Sequence, residues 1–243
     1  SHSTEYGGYV TFATSGTYYL NAATAAYDEP PLEVGVVQGT TIGYMEVGTT
    51  TASSSWSTVT LTNTYTEPVV IVSLLDGNNP NSPVATRVKN ASGNSFEMRL
   101  DFPTDNFAPS TTNSETVYYL VVEAGVWIMG DGKTKVEAGI VPDVSRVNCF
   151  TCGSWNNGTT VAHTSGYTAN PTFLHQVMSE NSASWISSFA SNSTDYRSGP
   201  GTNGFRVALN GASVTTTHVA EVIGYVVMET EKEPVVRDEI RDG

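Results

Sequence analysis

The chain has 243 residues, 39% of them hydrophobic and 14% charged, which is enough apolar material for β-type cores, with Thr, Ser, Asn and Gly filling the remainder. Asp and Glu outnumber Lys and Arg by 24 to 11, a net charge of −13, and such a surface repels phosphate backbones and argues against a nucleic-acid partner. No run approaches the ~20 apolar residues of a membrane span.

In chain order, residues 1–31 open on "TEYGGYVTFA", an alternating strand pattern with no signal-peptide character, as expected of a mature or excised segment. The "EYGGYV" cadence returns at residues 115–120 and again at 221–226. A near-constant period is the mark of a repeat architecture. Residues 1–31 then read as the terminal strand and linker of a preceding repeat. Both later repeats carry this strand, so the first copy, through Glu5, Tyr6, Tyr9, Val10 and Phe12, is expected to pair with another copy or with the missing repeat.

Residues 32–135 form the first repeat and 136–230 the second, with a charged tail over 231–243. "LEVGVV" (32–37) aligns with "VEAGIV" (136–141), "YTEPVVIVSLL" (65–75) with "YTANPTFLHQVM" (167–178), and "NSFEMRL" (94–100) with "NGFRVAL" (203–209). Phe96, Met98 and Leu100 alternate with Glu97, Arg99 and Asp101, and Val59 and Leu61 behave likewise, as in half-buried strands. Gly-, Asn- and Pro-rich turns such as "DGNNPNSP" separate these runs, and no stretch has convincing helical periodicity. The fold class expected is all-β: two tandem antiparallel β-sandwiches plus one extra N-terminal strand.

The core is expected to include Val59, Leu61, Val70, Val72, Phe96, Met98, Leu100, Tyr119 and Val121. Its counterparts in the second repeat are Phe205, Val207, Leu209, Tyr225 and Val227.

Candidate chemistry is sparse. Asp76, Asn78 and Asn79 offer hard oxygens to calcium, but the loop falls short of six to eight ligands, and local Asx turns explain the same residues. Asp101 and Asp105 flank Phe102 and Pro103, a spacing open to acid–base work, yet the second repeat has Asn210 in place of Asp101. His175 sits in a strand-like run as a satisfied strand histidine rather than a base. Cys149 and Cys152 form a CxxC without a helix behind it, read as a local disulfide in an oxidising compartment. Sequons at Asn90, Asn157 and Asn192 mark glycosylation positions if a glycosylating system makes the chain. Trp56, Trp127 and Trp155, with Tyr18 and Tyr19, are the rings on which a sugar could stack, against the commoner use of such rings in cores.

The first repeat, from Trp56 through "TYTEPVVIV" and "RVKNASGNSF" to "SETVYYLVVEAG", resembles the H-type lectin-like module. The resemblance implies a six-stranded antiparallel sandwich that tends to associate, often as trimers, and in lectin members binds N-acetylgalactosamine-type sugars. The sequence departs from sugar-binding members before the last strand, where "DFPTDNFAPSTTN" and "NGASVTTT" stand. Together these features lead to the expectation of a non-enzymatic structural or adhesive repeat protein of the extracellular space or a cell or virion surface. It would associate with itself, head to tail, into a fibre. A carbohydrate-binding lectin module is the alternative, and a polysaccharide-active enzyme the remote one.

Overall fold

The computed structural model describes residues 15–22, 42–74, 77–80, 82–103, 109, 111–145, 158–164, 166–169, 171–193, 198–211 and 218–230. Among them every regular element is a strand. These are β1 (Gly16–Ala22), β2 (Ile42–Ala52), β3 (Ser57–Tyr65), β4 (Pro68–Leu74), β5 (Ala85–Asp101), β6 (Glu115–Glu123) and β7 (Gly125–Met129). They continue with β8 (Thr134–Val144), β9 (Thr159–Ala162), β10 (Thr172–Val177), β11 (Ser187–Asn192), β12 (Gly204–Asn210) and β13 (Glu221–Thr230). The protein is all-β, with antiparallel pairing and a sandwich- or barrel-like arrangement.

Eight strands form one sheet in the order β10-β13-β8-β7-β1-β2-β6-β4. Its two ends mirror each other, with β2-β6-β4 on one side and β8-β13-β10 on the other. Strands β1 and β7 meet in the middle, pairing Leu20 with Met129 and Ala22 with Trp127. A small sheet covers each end: β3-β5 over the first, β11-β12-β9 over the second.

Within β5 the chain doubles back. Arg87 Nη1 lies 3.3 Å from Asp101 Oδ2, fourteen residues on, where a straight strand would separate them by roughly 46 Å. The reversal falls near Asn90 and Gly93, which take φ of 52° and 58°, the left-handed region that Asn and Gly tolerate best. The two arms of β5 therefore correspond to β11 and β12.

Burial follows the alternation read from the sequence. Along β3, Val59 (8%) and Leu61 (4%) are buried between exposed threonines. Phe96, Met98 and Leu100 are buried while Glu97 and Arg99 are half-buried, and they pack with Val70, Val72 and Val121. In the second half Phe205, Val207 and Leu209 pack with Phe173, Tyr225 and Val227, the Phe173 and Phe205 rings 4.4 Å apart. Ala208 is buried as well, so "FRVAL" alternates less cleanly than "FEMRL".

The two halves do not close as separate bodies. The large sheet carries a second apolar face, where Leu20, Met45, Trp127, Val136, Ala138, Val226 and Met228 join the first core. The sheet curls until its two ends meet: the Val70 N–H points at Met178 Sδ (3.4 Å) and the Val72 N–H donates to Gln176 Oε1 (3.3 Å). Gly224 lies at this seam because a Cβ there would collide with Met178 and crowd Val69. β4 is accordingly buried on both faces over Pro68–Val72, which is why "PVVIV" reads as a continuous apolar run.

β1 belongs to this sheet, bonded to β2 along six residue pairs. The strand expected over residues 4–13 lies outside the described residues, as do Glu5, Tyr6, Tyr9, Val10 and Phe12.

Candidate functional site at the junction of the two halves

Short strands joined by tight loops leave backbone N–H groups pointing inward, and each must find an acceptor. Three glutamates per half supply one. Glu46 on β2 accepts from the Thr62 and Asn63 N–H groups (2.9 and 3.3 Å), and Glu137 on β8 accepts from the Thr164 N–H (3.0 Å) and the Tyr167 hydroxyl (3.3 Å). Glu123 on β6 holds the Thr66 and Glu67 N–H groups (2.9 and 2.8 Å). Glu229 on β13 holds those of Thr168 and Ala169 (3.0 and 2.7 Å). Glu115 accepts from the Asn78 N–H and the Asn79 amide (2.7 and 2.8 Å). Glu221 accepts from the Asn181 and Ser182 N–H groups (2.9 and 2.8 Å) and from the Ser179 hydroxyl. Burial pushes the Glu115 carboxyl up, but the bonds from Asn78, Asn79 and Gly77 together outweigh it and hold it below the usual range.

Glu221 has one partner that Glu115 lacks. Arg87, fully buried on β5 of the first half, donates to Glu221 of the second, to Asp101, and to the Ser179 and Ser184 carbonyls at 3.1 Å each. One guanidinium thus ties both arms of β5 to the loop after β10. Burial raises the Asp101 carboxyl above its ordinary range despite the Arg99 and Arg87 charges beside it. Around this core lie Lys89, bonded to Glu180 (2.8 Å), and Arg99, paired with Asp101 (2.9 Å) and Glu180 (3.3 Å). The Trp185 indole donates to the Asp101 carbonyl (3.1 Å). This is a built, charge-balanced lock, and sequence reading missed it. The signal was present in the glutamates that recur at matching places, whereas Arg87, in "ATRVKN", reads like any half-exposed strand residue.

Trp56 is half-buried at the rim of the lock. The Lys89 ammonium stands 4.0 Å from its ring centroid and the Arg99 guanidinium 4.9 Å, so cations already occupy the ring. Trp127 corrects the sugar-platform expectation outright. It is 5% exposed, its indole donates to the Glu123 carbonyl (2.7 Å), and its ring fills the space over Gly43. Enclosed there, it offers no face to a ligand.

An open cleft of about 810 Å³ lies between β4 and β10, lined by Ile71, Ser73, Phe173, His175, Asn192 and Pro200 among others. His175 Nδ1 is 2.8 Å from the Ser188 hydroxyl. Burial pushes the imidazole down to about 4, which keeps it neutral near pH 7.

In place of local Asx turns, Asn78 and Asn79 bond across to the loop before β6: Asn78 Nδ2 donates to the Ser114 carbonyl (2.8 Å), Asn79 Nδ2 donates to the Asn113 carbonyl (2.9 Å) and Asn79 Oδ1 accepts the Asn113 N–H (2.8 Å). Among the described residues no cluster of three or more His, Cys, Asp or Glu side chains could hold a metal; Asp76 and Asp105 lie outside them. Asn90 is exposed at the β5 reversal, its amide 3.2 Å from Glu97. Asn192 is half-buried at the end of β11, its N–H bonded to the Ser198 carbonyl. Asn90 and Asn192 are thus unlike in exposure. Cys149, Cys152, Trp155 and Asn157 lie outside the described residues, as do residues 32–37; Glu46, within a second "EVG" motif, takes in the first half the role of Glu137.

No protein-family model, curated protein or solved structure matches the chain.

Two predictions follow from this geometry. Arg87→Ala leaves the buried Glu221 carboxylate without a cation and Asp101 with Arg99 alone, and should cost about 3–5 kcal/mol in chemical denaturation, part of which Glu221→Gln added to it should restore. For His175 the folded value near 4 lies below the unfolded 6.5, so its contribution is complete above pH 6.5 and is lost as pH falls toward 4. That gap corresponds to about 3 kcal/mol. Denaturation midpoints of His175→Gln should therefore decline less steeply than wild type across this window.

Proposed function

We propose that the chain is a non-enzymatic structural or adhesive protein of the extracellular space or a cell or virion surface. In this reading each half is an H-type-lectin-like sandwich of six strand arms, and repeats assemble head to tail by strand pairing into a fibre. One observation carries it: the halves are joined edge to edge, through the β1–β7 pair in a continuous sheet. The same operation, repeated between chains, propagates an array without any new kind of contact, because a heterologous contact that does not close builds filaments. The extra strand needed for it is the "EYGGYV" copy at residues 5–10.

The test is removal of residues 1–14, which leaves β1 intact. Electron microscopy should show filaments from the full chain and single particles from the shortened one. A full chain that stays monomeric, or a shortened chain that assembles equally well, would refute the head-to-tail reading.

A carbohydrate-binding reading is favoured by one surface. Tyr19 is 65% exposed on β1, its ring 5.9 Å from Tyr44, beside Asn63, whose amide donates to the Thr17 hydroxyl (2.8 Å). An open ring flanked by amide and hydroxyl groups suits a pyranose face. In the second half the place of Tyr44 is taken by Lys135, whose ammonium lies over Tyr167 (5.4 Å). On a glycan array, Tyr19→Ala should abolish any saturable signal of the wild type; equal binding by the two proteins would remove this surface from consideration.

A further inference from the structure

The two kinds of sheet edge in the first half are treated differently. On β4 the outward backbone groups are covered: Met178 Sδ and Gln176 Oε1 take the Val70 and Val72 N–H groups, and the Thr86 hydroxyl donates to the Val72 carbonyl (3.2 Å). On β3 nothing comparable is present among the described residues. Among the described residues β3 pairs with β5 alone, through Ser57–Met98, Thr58–Glu97, Val59–Phe96 and Thr60–Ser95. Glu46 covers the N–H groups only from Thr62 onward.

Edges left open in this way are normally guarded by lysine, proline or an inward charge. The sequence of β3, STVTLTNTY, has none of these, and it is rich in the β-branched residues that suit strand pairing. Thr58 and Thr60 are exposed while Val59 is buried. In a chain carrying −13, two copies repel over most of their surfaces, and an uncharged strand is where they can approach.

We propose that the outer edge of β3 over residues 57–61 pairs with the same edge of a second copy, antiparallel about a two-fold axis at Val59. This register sets Thr58 against the second copy's Thr60 and Val59 against the second copy's Val59. Threonine meets threonine on the outer face and valine meets valine on the core face, both favourable cross-strand pairs. The Glu46 cap at Thr62 and Asn63 ends the ladder, which fixes its length at five residues. The product is a continuous β5-β3-β3-β5 sheet. Such an isologous contact closes on itself, so it doubles an assembly laterally and does not lengthen it. It therefore goes beyond the head-to-tail reading and can fail independently of it.

The test compares full-length wild type, Thr58→Lys/Thr60→Lys, and Thr49→Lys/Thr51→Lys. The last carries the same added charge on exposed positions of β2, where that strand pairs with β6 in the large sheet. Sedimentation equilibrium and mass per unit length in the electron microscope count the chains side by side. Wild type and the β2 variant should show two, and the β3 variant one, with at least a tenfold weaker lateral association constant. Amide exchange on wild type supplies a reading that needs no substitution: protection at residues 58–61 should rise with protein concentration. Filaments one chain wide in wild type, equal widths in all three proteins, loss of pairing in both variants, or concentration-independent exchange would each overturn the β3 contact. Loss of filaments with retained pairs would overturn the head-to-tail reading alone.

Discussion

The structure depends on buried carboxylates that accept N–H groups from its loops and from the end of β3. A glutamate sealed from water is costly by itself, and a loop N–H facing a core is costly too. Bringing them together removes both penalties and yields a charge-assisted bond of about 1.5–3 kcal/mol. The arrangement also fixes register. Glu46 and Glu137 each sit two residues before a glycine, Gly48 or Gly139, whose missing side chain admits Tyr119 or Tyr225. Shifting either strand by one residue would turn the carboxylate away from its loop and a tyrosine into backbone.

Repetition supplies two such units, and Arg87 makes their relation specific. The residue corresponding to Arg87 on β11 is Phe189, so that position of the second half offers no guanidinium back. The first half gives the arginine and the second gives Glu221, Ser179 and Ser184. A buried ion pair of this kind adds little net stability compared with an apolar substitute, but a half-made one is strongly destabilising. Only one docking of the halves satisfies it. The lock and the β1–β7 pair act at different places on the same interface, one through side chains and one through backbone.

Strand positions were legible because β-type burial is written in a period of two. Thr-Val-Thr-Leu-Thr in β3 and Phe-Glu-Met-Arg-Leu in β5 assign their inward faces with no knowledge of partners. The doubling back of β5 was partly legible, in Asn90 and Gly93. What one strand's sequence could not reveal was which sheet it joins. β4 and β13 look like strands of two separate sandwiches, and their contact at Gly224 depends on the curl of a sheet that spans both. Trp127 misled for the same reason: beside a loop in sequence, it lies under the shared sheet in space. The carboxylates were hidden by a different habit of reading, in which an acidic residue in an acidic protein counts as surface.

The differences between the halves carry more information than their likeness. Equivalent glutamates do equivalent work, so those positions are explained by folding. The positions that diverge are Arg87 against Phe189, Tyr44 against Lys135, and Arg99 against Ala208. None of these is demanded by the shared core. Arg87 and Arg99 build the junction, and they stand only on the half that must reach across to its neighbour. Tyr44 stands where the paired strand β1 brings Tyr19 alongside, and its counterpart Lys135 donates to the Gly166 carbonyl (2.7 Å) instead. A duplicated fold thus keeps one set of residues to make each half and another to make the halves unequal.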